Sequence, residues 1–220
     1  MICADFKNLG NTINTLERAG LDTLHFDFCD GKFAPTFLFS PTILKSIRHL
    51  TGLRFDAHMY CEYPSIYLEE LKQSGVDLVI IQVESKEDYR EVILKIIKKG
   101  MKAGIGILPG TKIPKNIQKV FNNISIIMIN TVGPVYSGQS LDNRGIKNLH
   151  EISNLVKKYN YEIDVGVDGN VNINSLEQIF KAGANFLVCG TTSVFNKNSS
   201  PSKELKKLYK YIAEYSNLLL

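Results

Sequence analysis

The segment His25-Phe26-Asp27 places an imidazole and a carboxylate two positions apart, just before the turn residues Asp30-Gly31. The apolar and aromatic residues around it predict a strand, and side chains two positions apart on a strand point to the same face. An imidazole beside a carboxylate at a strand end can bind a divalent metal ion, and the carboxylate can also transfer a proton. The alternative is an ordinary half-buried strand with one polar face, and this segment alone leaves both interpretations open.

Two more residues of the same chemical kinds stand at the ends of other predicted strands. His58 ends one apolar run and Asp168 follows another. In a barrel of parallel strands the C-terminal strand ends meet on one rim, so His25, Asp27, His58 and Asp168 are expected to converge there. Two imidazoles and two carboxylates suit one Zn²⁺, Fe²⁺ or Mn²⁺ ion.

The elements that must position these residues alternate between strand-like and helix-like segments. Apolar runs predict seven strands, at Thr23–Phe28, Arg54–His58, Leu78–Val83, Ala103–Leu108, Ser125–Thr131, Glu162–Val167 and Asn185–Cys189. Amphipathic segments predict eight helices, at Lys7–Ala19, Pro41–Leu50, Pro64–Ser74, Lys86–Lys99, Pro114–Phe121, Ile146–Tyr159, Ile173–Ala182 and Pro201–Tyr215. Such alternation predicts an α/β protein with a parallel sheet, and seven or eight repeats in 220 residues favour one (β/α)8 TIM-barrel domain, residues 1–220, over an open doubly wound sheet.

The first strand of this barrel is short or truncated in the sequence. Only Met1-Ile2-Cys3-Ala4 and a few residues more precede the first predicted helix, whereas a typical strand needs about five residues. Either natural residues are missing upstream of Met1 or the first strand is vestigial, and both remain open.

Small residues follow the last three predicted strands, at Gly138, Gly169 and Gly190-Thr191. They let backbone N–H groups approach an anion, and the loops after the last two strands of such barrels usually bind phosphate. The alternative is that these glycines only form turns, but their clustering favours a phosphate site.

The composition argues against several classes of function. The chain has 26 basic and 22 acidic residues for a net charge of +4, and its basic residues are scattered, so the patch that nucleic-acid binding needs is absent. No apolar run reaches the roughly 18 residues of a membrane span and no signal peptide is found, so neither a membrane protein nor a secreted one is expected. Four widely spaced cysteines without a CxxC pair predict reduced thiols in a cytoplasmic protein.

Taken in order, the motifs resemble the ribulose-phosphate 3-epimerase family over nearly the whole chain. The resemblance rests on Ala4-Asp5-Phe6 with Leu9-Gly10, the run from His25 to Pro35, Asp56-Ala57-His58, Thr131-Val132 with Pro134 and Gly138-Gln139, Val167-Asp168-Gly169, and Ala182-Gly183-Ala184 with Gly190-Thr191. It implies a (β/α)8-barrel isomerase of carbohydrate metabolism that epimerises C3 of a phosphorylated ketose, as in the conversion of D-ribulose 5-phosphate to D-xylulose 5-phosphate in the pentose phosphate pathway. Family members are often oligomeric, so a homo-oligomer is expected.

The resemblance also implies roles for individual residues. One divalent metal ion, held by His25, Asp27, His58 and Asp168, would polarise the C2 carbonyl and the C3 hydroxyl. Asp27 and Asp168 would be the catalytic pair, one removing the C3 proton to give an enediolate and the other returning a proton on the opposite face. The residues expected to bind the substrate and its phosphate are Cys3, Gly138, Gln139, Gly169, Asn170, Gly190 and Thr191.

Several positions depart from the family pattern. Cys29, Tyr60 and Asn130 form the pocket wall at positions that usually carry Met, which makes the predicted wall more polar. The remaining departures are Cys3 for Ser, Gln82 for His, Asn170 for Gly, and Gly133, Val135 and Ser137 in the loop after Thr131. Retained 3-epimerase chemistry with a shifted substrate preference is therefore expected.

Two alternatives stay open at this point. Cys in place of the first-strand Ser also occurs in relatives that act on allulose 6-phosphate, so the substrate can be another ketose phosphate. A catalytically silent barrel that serves as a binding subunit is the second alternative, because fold alone does not determine function. An aldolase or decarboxylase is disfavoured, since no Lys lies at the predicted strand ends that carry the polar residues.

Overall fold

The computed structural model describes residues 1–134, 138–196 and 199–217, with 216 and 217 described by their backbone alone. The strands of this part of the chain are β1 (Thr23–Cys29), β2 (Arg54–Tyr60), β3 (Leu78–Gln82), β4 (Lys102–Ile107), β5 (Ile126–Asn130), β6 (Asp164–Asp168) and β7 (Phe186–Val188). The α-helices are α1 (Leu9–Arg18), α2 (Pro41–Ile47), α3 (Leu68–Gln73), α4 (Tyr89–Lys98), α5 (Asn143–Lys158), α6 (Leu176–Lys181) and α7 (Pro201–Asn217).

Within the described residues, seven parallel strands form one sheet, and each strand pairs with the next one along the chain. The sheet curls around on itself, because Nε2 of His25 on β1 lies 3.9 Å from Oδ2 of Asp168 on β6 although four strands separate them in the sheet order. The result is a nearly closed barrel with helices between its strands. This confirms the predicted (β/α)8 architecture with a short first strand.

The segment Met1–Ala4 forms a turn in which the Ala4 N–H donates to the Met1 carbonyl at 3.0 Å. The amino group of Met1 donates to the backbone carbonyl of His25 on β1. At the other side, Sγ of Cys3 lies 3.5 Å from the position that a Cβ would take at Gly190, just after β7. The segment therefore lies between β1 and β7, the two outer strands of the described sheet, where the first strand of a (β/α)8 barrel belongs.

The strands divide into an outward apolar face and a layered inward face. Outward residues such as Phe26 and Ile81 are fully buried in the main hydrophobic core, because helices cover the outside of a parallel barrel. Inside, Ile80, Ile126 and Met128 form a separate apolar cluster. Nearer the C-terminal strand ends the inward face carries polar residues, among them Asp27, His58 and Gln82, so the barrel has an apolar floor beneath a mainly polar layer.

One predicted helix is wrong in type. The segment Pro114–Phe121 was expected to be α-helical, but Ile117–Asn123 forms a 3-10 helix instead. Asn116, the residue before it, adopts a left-handed φ of 62°, which a continuous α-helix does not allow. Its buried residues Ile117, Val120 and Phe121 are spaced like an α-helical stripe, which explains the wrong prediction.

No helix in the described part of the chain combines the length and the apolar character that a membrane crossing requires.

Candidate active site

Four side chains that could hold a metal ion meet at the C-terminal end of the barrel. One ligand atom from each of His25, Asp27, His58 and Asp168 lies within 4.8 Å of the other three. Nε2 of His25 lies 3.3 Å from Oδ1 of Asp27, and Nδ1 of His58 lies 3.4 Å from Oδ2 of Asp168. Three different strands thus bring two imidazoles and two carboxylates to one point.

Strand register explains why these side chains meet. Asp27 on β1 is the Cα partner of His58 on β2, so their side chains leave the sheet side by side. His25 stands two residues before Asp27 and therefore points to the same inward face. Asp168 is the last residue of β6 and reaches the cluster across the barrel mouth.

The cluster fits a divalent metal ion. Four ligands at about 2.0–2.1 Å from a tetrahedral ion lie about 3.3 Å apart, close to the 3.3–3.9 Å found between neighbouring imidazole nitrogens and carboxylate oxygens. Nε2 of His25 and Nδ1 of His58 are buried and make no hydrogen bond within the described residues. Buried polar atoms without partners are uncommon, and a metal ion would satisfy both.

Asp56 orients His25 from the side away from the cluster. Its Oδ1 lies 2.7 Å from Nδ1 of His25, and the carboxylate is fully buried. With a metal ion at Nε2, this ion pair would keep the remaining ring proton on Nδ1, which is the arrangement of metal-binding histidines. Sequence analysis assigned no role to Asp56, although its position two residues before His58 places it on the same inward face.

His25 and the carboxylates beside it stabilise each other's charged forms. Burial disfavours a charged imidazole, but the carboxylates of Asp56 and Asp27 outweigh it and hold the pKa of His25 well above its ordinary value. Burial likewise opposes the carboxylate of Asp27, yet the neighbouring His25 lowers the pKa of Asp27 from 3.8 to about 2. Asp27 therefore remains ionised throughout the physiological range.

Three buried polar residues, Tyr60, Gln82 and Asn130, form a hydrogen-bond network beside the cluster. Nδ2 of Asn130 donates to the Tyr60 hydroxyl at 2.7 Å and to Oδ2 of Asp168 at 3.2 Å. The Tyr60 hydroxyl donates to the same carboxylate oxygen at 3.0 Å, and burial together with Asp168 raises the pKa of Tyr60 well above its ordinary value. Nε2 of Gln82 links Oδ1 of Asn130 to Nε2 of His58, with 2.9 Å to each.

An open cavity with about 700 Å³ of empty space lies above the cluster. Asp27 and Asp168 are 13% and 18% exposed, whereas the two histidines are nearly or fully buried, so the carboxylates are the groups that a bound molecule reaches most easily. Of the residues predicted to contact substrate or metal, the following line the cavity: Cys3, His25, Asp27, Tyr60, Gly138, Asp168, Gly169, Asn170, Gly190 and Thr191. Burial raises the pKa of the Cys3 thiol, so this thiol is neutral at neutral pH.

The backbone after β6 explains one departure from the family pattern. Gly169 and Asn170 have φ values of +120° and +49°, and Asn is among the few non-glycine residues that enter the left-handed region readily. The Asn170 side chain donates to the Gln139 carbonyl at 2.6 Å, which ties the loop after β5 to the loop after β6.

Five other predicted positions are placed differently or lie outside the described residues. Cys29 is buried, with its thiol 3.5 Å from the Ala34 carbonyl, and Asn130 is 1% exposed; neither lines the cavity. Gln139 does not line it either, since its side-chain amide donates to the Gly133 carbonyl at 2.9 Å. Val135 and Ser137 lie outside the described residues.

Comparison with known proteins gives one consistent result. A sequence model described as the ribulose-phosphate 3 epimerase family matches residues 1–195. The chain is 31% identical over 192 residues to the ribulose-phosphate 3-epimerase of Bacillus subtilis, covering 87% of this chain and 88% of that protein. It is 30% identical over 198 residues to the ribulose-phosphate 3-epimerase of Synechocystis, covering 89% and 85% of the two chains.

Solved structures agree on the fold. The phosphoribosyl anthranilate isomerase of Thermus thermophilus superposes with a TM-score of 0.66 over 94% of both chains, at 11% sequence identity. The 3-hexulose-6-phosphate synthase of Salmonella typhimurium gives a TM-score of 0.65 over 94% of this chain and 93% of that one, at 11% identity. At such low identity these structures support the barrel architecture alone.

Proposed function

The chain belongs to the ribulose-phosphate 3-epimerase family and is an isomerase that acts on carbohydrate phosphates, and from this premise we propose that it inverts C3 of D-ribulose 5-phosphate with the help of one divalent metal ion. The observation that carries the proposal is the meeting of His25, Asp27, His58 and Asp168 within 4.8 Å beneath an open cavity.

Zn²⁺, Fe²⁺ or Mn²⁺ fits the two nitrogen and two oxygen donors. His25 would bind through Nε2, because its Nδ1 faces Asp56 at 2.7 Å. His58 would bind through Nδ1, which faces Asp27 and Asp168. When bound, the ion would stabilise negative charge on the C2 and C3 oxygens of the substrate.

Asp27 and Asp168 are the proposed proton-transfer groups. Their oxygens approach the cluster from β1 and β6, on the two sides of the gap between β1 and β7, and both residues line the cavity. One carboxylate removes the C3 proton to give an enediolate, and the other delivers a proton to the opposite face of C3. Epimerisation requires one carboxylate to be ionised and the other protonated, and the depressed pKa of Asp27 favours its ionised form.

The other end of the cavity would bind the substrate phosphate. Gly138, Gly169, Asn170, Gly190 and Thr191 line it on the loops after β5, β6 and β7. The left-handed backbone at Gly169 and Asn170 turns the chain sharply at the cavity, as backbone N–H groups that approach an anion require. Phosphate at this end would leave C2 and C3 above the metal cluster.

The deciding experiment is exchange in deuterated water. With Zn²⁺, Mn²⁺ or Fe²⁺ supplied, D-ribulose 5-phosphate should give D-xylulose 5-phosphate carrying deuterium at C3, detected by NMR. Allulose 6-phosphate serves as the competing substrate, because Cys3 lines the cavity where relatives that use this sugar also carry Cys. Absence of C3 exchange with every ketopentose and ketohexose phosphate and every metal would refute the proposal and favour a silent binding barrel.

Three broader expectations belong to the same proposal. The chain would act as one domain over residues 1–220, would assemble as a homo-oligomer and would work in the cytoplasm. All four cysteines are free in the structure, which supports a reducing compartment. Sedimentation of the purified protein and the subcellular fractionation of its activity would test assembly and location.

A further inference from the structure

Gln82, the last residue of β3, is a fully buried polar residue beside the metal cluster. Its Nε2 lies 2.9 Å from Nε2 of His58 and 2.9 Å from Oδ1 of Asn130. Its Oε1 is buried and has no hydrogen-bond partner within the described residues. The amide nitrogen therefore has two partners, whereas the amide oxygen has none in the described part of the chain. A buried amide oxygen without a donor is unfavourable by about 1–3 kcal/mol.

The tautomer of His58 determines whether its Nε2 needs a hydrogen-bond donor or an acceptor from the Gln82 amide. A neutral imidazole has one N–H and one lone pair. In the present orientation the Gln82 amide offers an N–H to Nε2 of His58, which places the ring proton on Nδ1, the nitrogen that faces Asp27 and Asp168. That tautomer cannot bind a metal ion through Nδ1. Binding at Nδ1 moves the proton to Nε2, and Nε2–H then needs an acceptor.

A half-turn of the Gln82 amide supplies this acceptor. Rotation about the terminal side-chain bond brings Oε1 to the position 2.9 Å from Nε2 of His58. The space that the amide nitrogen would then enter lies against Gly106, where a Cβ would sit only 2.8 Å from the present Oε1 and 2.8 Å from Nε2 of His58. Glycine at this position of β4 therefore leaves the amide room to turn.

We propose that Gln82 is a positioning residue that selects the tautomer of His58, accepting its Nε2–H through Oε1 whenever Nδ1 binds a divalent cation. The inference rests on the metal site of the proposed function. It also involves Asn130, which must turn in the same sense so that its Nδ2 donates to Oε1 of Gln82. The Tyr60 hydroxyl then donates to Oδ1 of Asn130 instead of to Asp168, and Oδ2 of Asp168 gives up both of these donors when it binds the cation. The two amides then act as a pair that takes one orientation without metal and the opposite one with it.

The test compares one replacement of Gln82 that removes the acceptor with one that retains an acceptor. Gln82→Met keeps the length of the side chain but removes the acceptor, and should weaken Zn²⁺ binding about 10–100-fold, the usual effect of losing a partner of a metal-binding histidine. Gln82→Glu keeps an acceptor for Nε2–H of His58, so it should bind Zn²⁺ no more than about threefold more weakly than the parent protein. Affinity for Zn²⁺ alone is measured by competition with a chromogenic chelator.

A control and a direct readout separate positioning from general damage. Asn148→Leu removes another buried amide, which donates to the Thr111 carbonyl at 3.0 Å far from His58, and should lower stability without changing Zn²⁺ affinity. Long-range ¹H–¹⁵N spectra report the tautomer directly: His58 should carry its proton on Nδ1 without metal and on Nε2 with Zn²⁺.

Each outcome then bears on one proposal or on both. If the parent binds Zn²⁺ and Gln82→Met binds it equally tightly, the role of Gln82 is refuted while the metal site stands. Loss of Zn²⁺ binding by Gln82→Glu as severe as that of Gln82→Met would also overturn it. If the parent binds no Zn²⁺, both the metal site and this inference fail.

Discussion

Replacing Gly169 by Ala should destabilise the protein strongly, for two reasons visible in the structure. Gly169 has a φ of +120°, and a Cβ built there would lie 2.6 Å from Cγ2 and 2.9 Å from Cγ1 of Val132. A left-handed backbone costs a residue with a Cβ about 1–2 kcal/mol, and forcing a methyl group into packed side chains costs about 1–3 kcal/mol. We therefore expect Gly169→Ala to lower the free energy of unfolding by about 2–5 kcal/mol.

Gly138 is the matched control for the backbone contribution. It also lines the cavity and has a φ of +79°, but no described atom lies within 4 Å of its Cβ position. Gly138→Ala should therefore cost only the backbone part, about 1–2 kcal/mol. Both variants are measured in metal-free protein by urea denaturation with linear extrapolation.

A double-mutant cycle isolates the steric contribution. Val132→Ala removes both Cγ atoms that the new methyl group would meet, so in that background Gly169→Ala should recover about 1–3 kcal/mol. Because both residues line the cavity, Gly169→Ala should also raise KM for the ketose phosphate, and Val132→Ala in that background should lower it again. Strict additivity of the two substitutions, or a cost no larger than that of Gly138→Ala, would refute the reasoning.

Three further predictions concern the cluster itself. Asp168→Asn should reduce epimerisation by about 10²–10⁴-fold, as loss of a proton-transfer group does, with an unchanged circular dichroism spectrum; full activity would contradict its assigned role. Tyr60→Phe keeps the ring but removes the donor to Asp168, so the free energy of unfolding should fall by about 1–3 kcal/mol in urea titrations, and an unchanged value would show that the hydrogen bond is unimportant. Because the pKa of Asp27 is lowered from 3.8 to about 2, metal-free protein should gain about 2 kcal/mol of stability from this group. That stability is present above pH ~4 and is lost as the pH falls towards 2. Urea midpoints measured across this range should show the loss in the parent and not in Asp27→Asn.

The four clustered residues are predictable from the sequence because each lies in an apolar run or directly after one. Two-residue alternation puts His25 and Asp27 on one face, and parallel strands bring their C-terminal ends together. Asp56 obeys the same alternation but has no recognisable partner in the sequence. Its contact with His25 depends on the register of β1 against β2, in which these two residues are Cα partners, and register is set by the packing of whole strands.

The pocket wall shows where residue types alone mislead. Cys29, Tyr60 and Asn130 were expected to make the wall more polar, yet only Tyr60 lines the cavity. The polar groups of Tyr60 and Asn130 are taken up by hydrogen bonds to Asp168 and to each other. Whether a polar side chain faces a ligand or a neighbour depends on contacts among several strands, which no single segment encodes.

Because the ligand cluster spans the gap between β1 and β7, a metal ion bound there would also have a structural role. His25 and Asp27 belong to the outer strand on one side of this gap, whereas Asp168 belongs to β6 on the other side. A metal ion bound by all three would connect the two sides of the barrel mouth where β1 and β7 do not pair with each other in the described sheet, and would keep the width of the mouth constant. Removing the ion would then remove a connection between β1 and β6 as well as the group that stabilises negative charge on the substrate. The site would lose its fixed shape together with its catalytic activity.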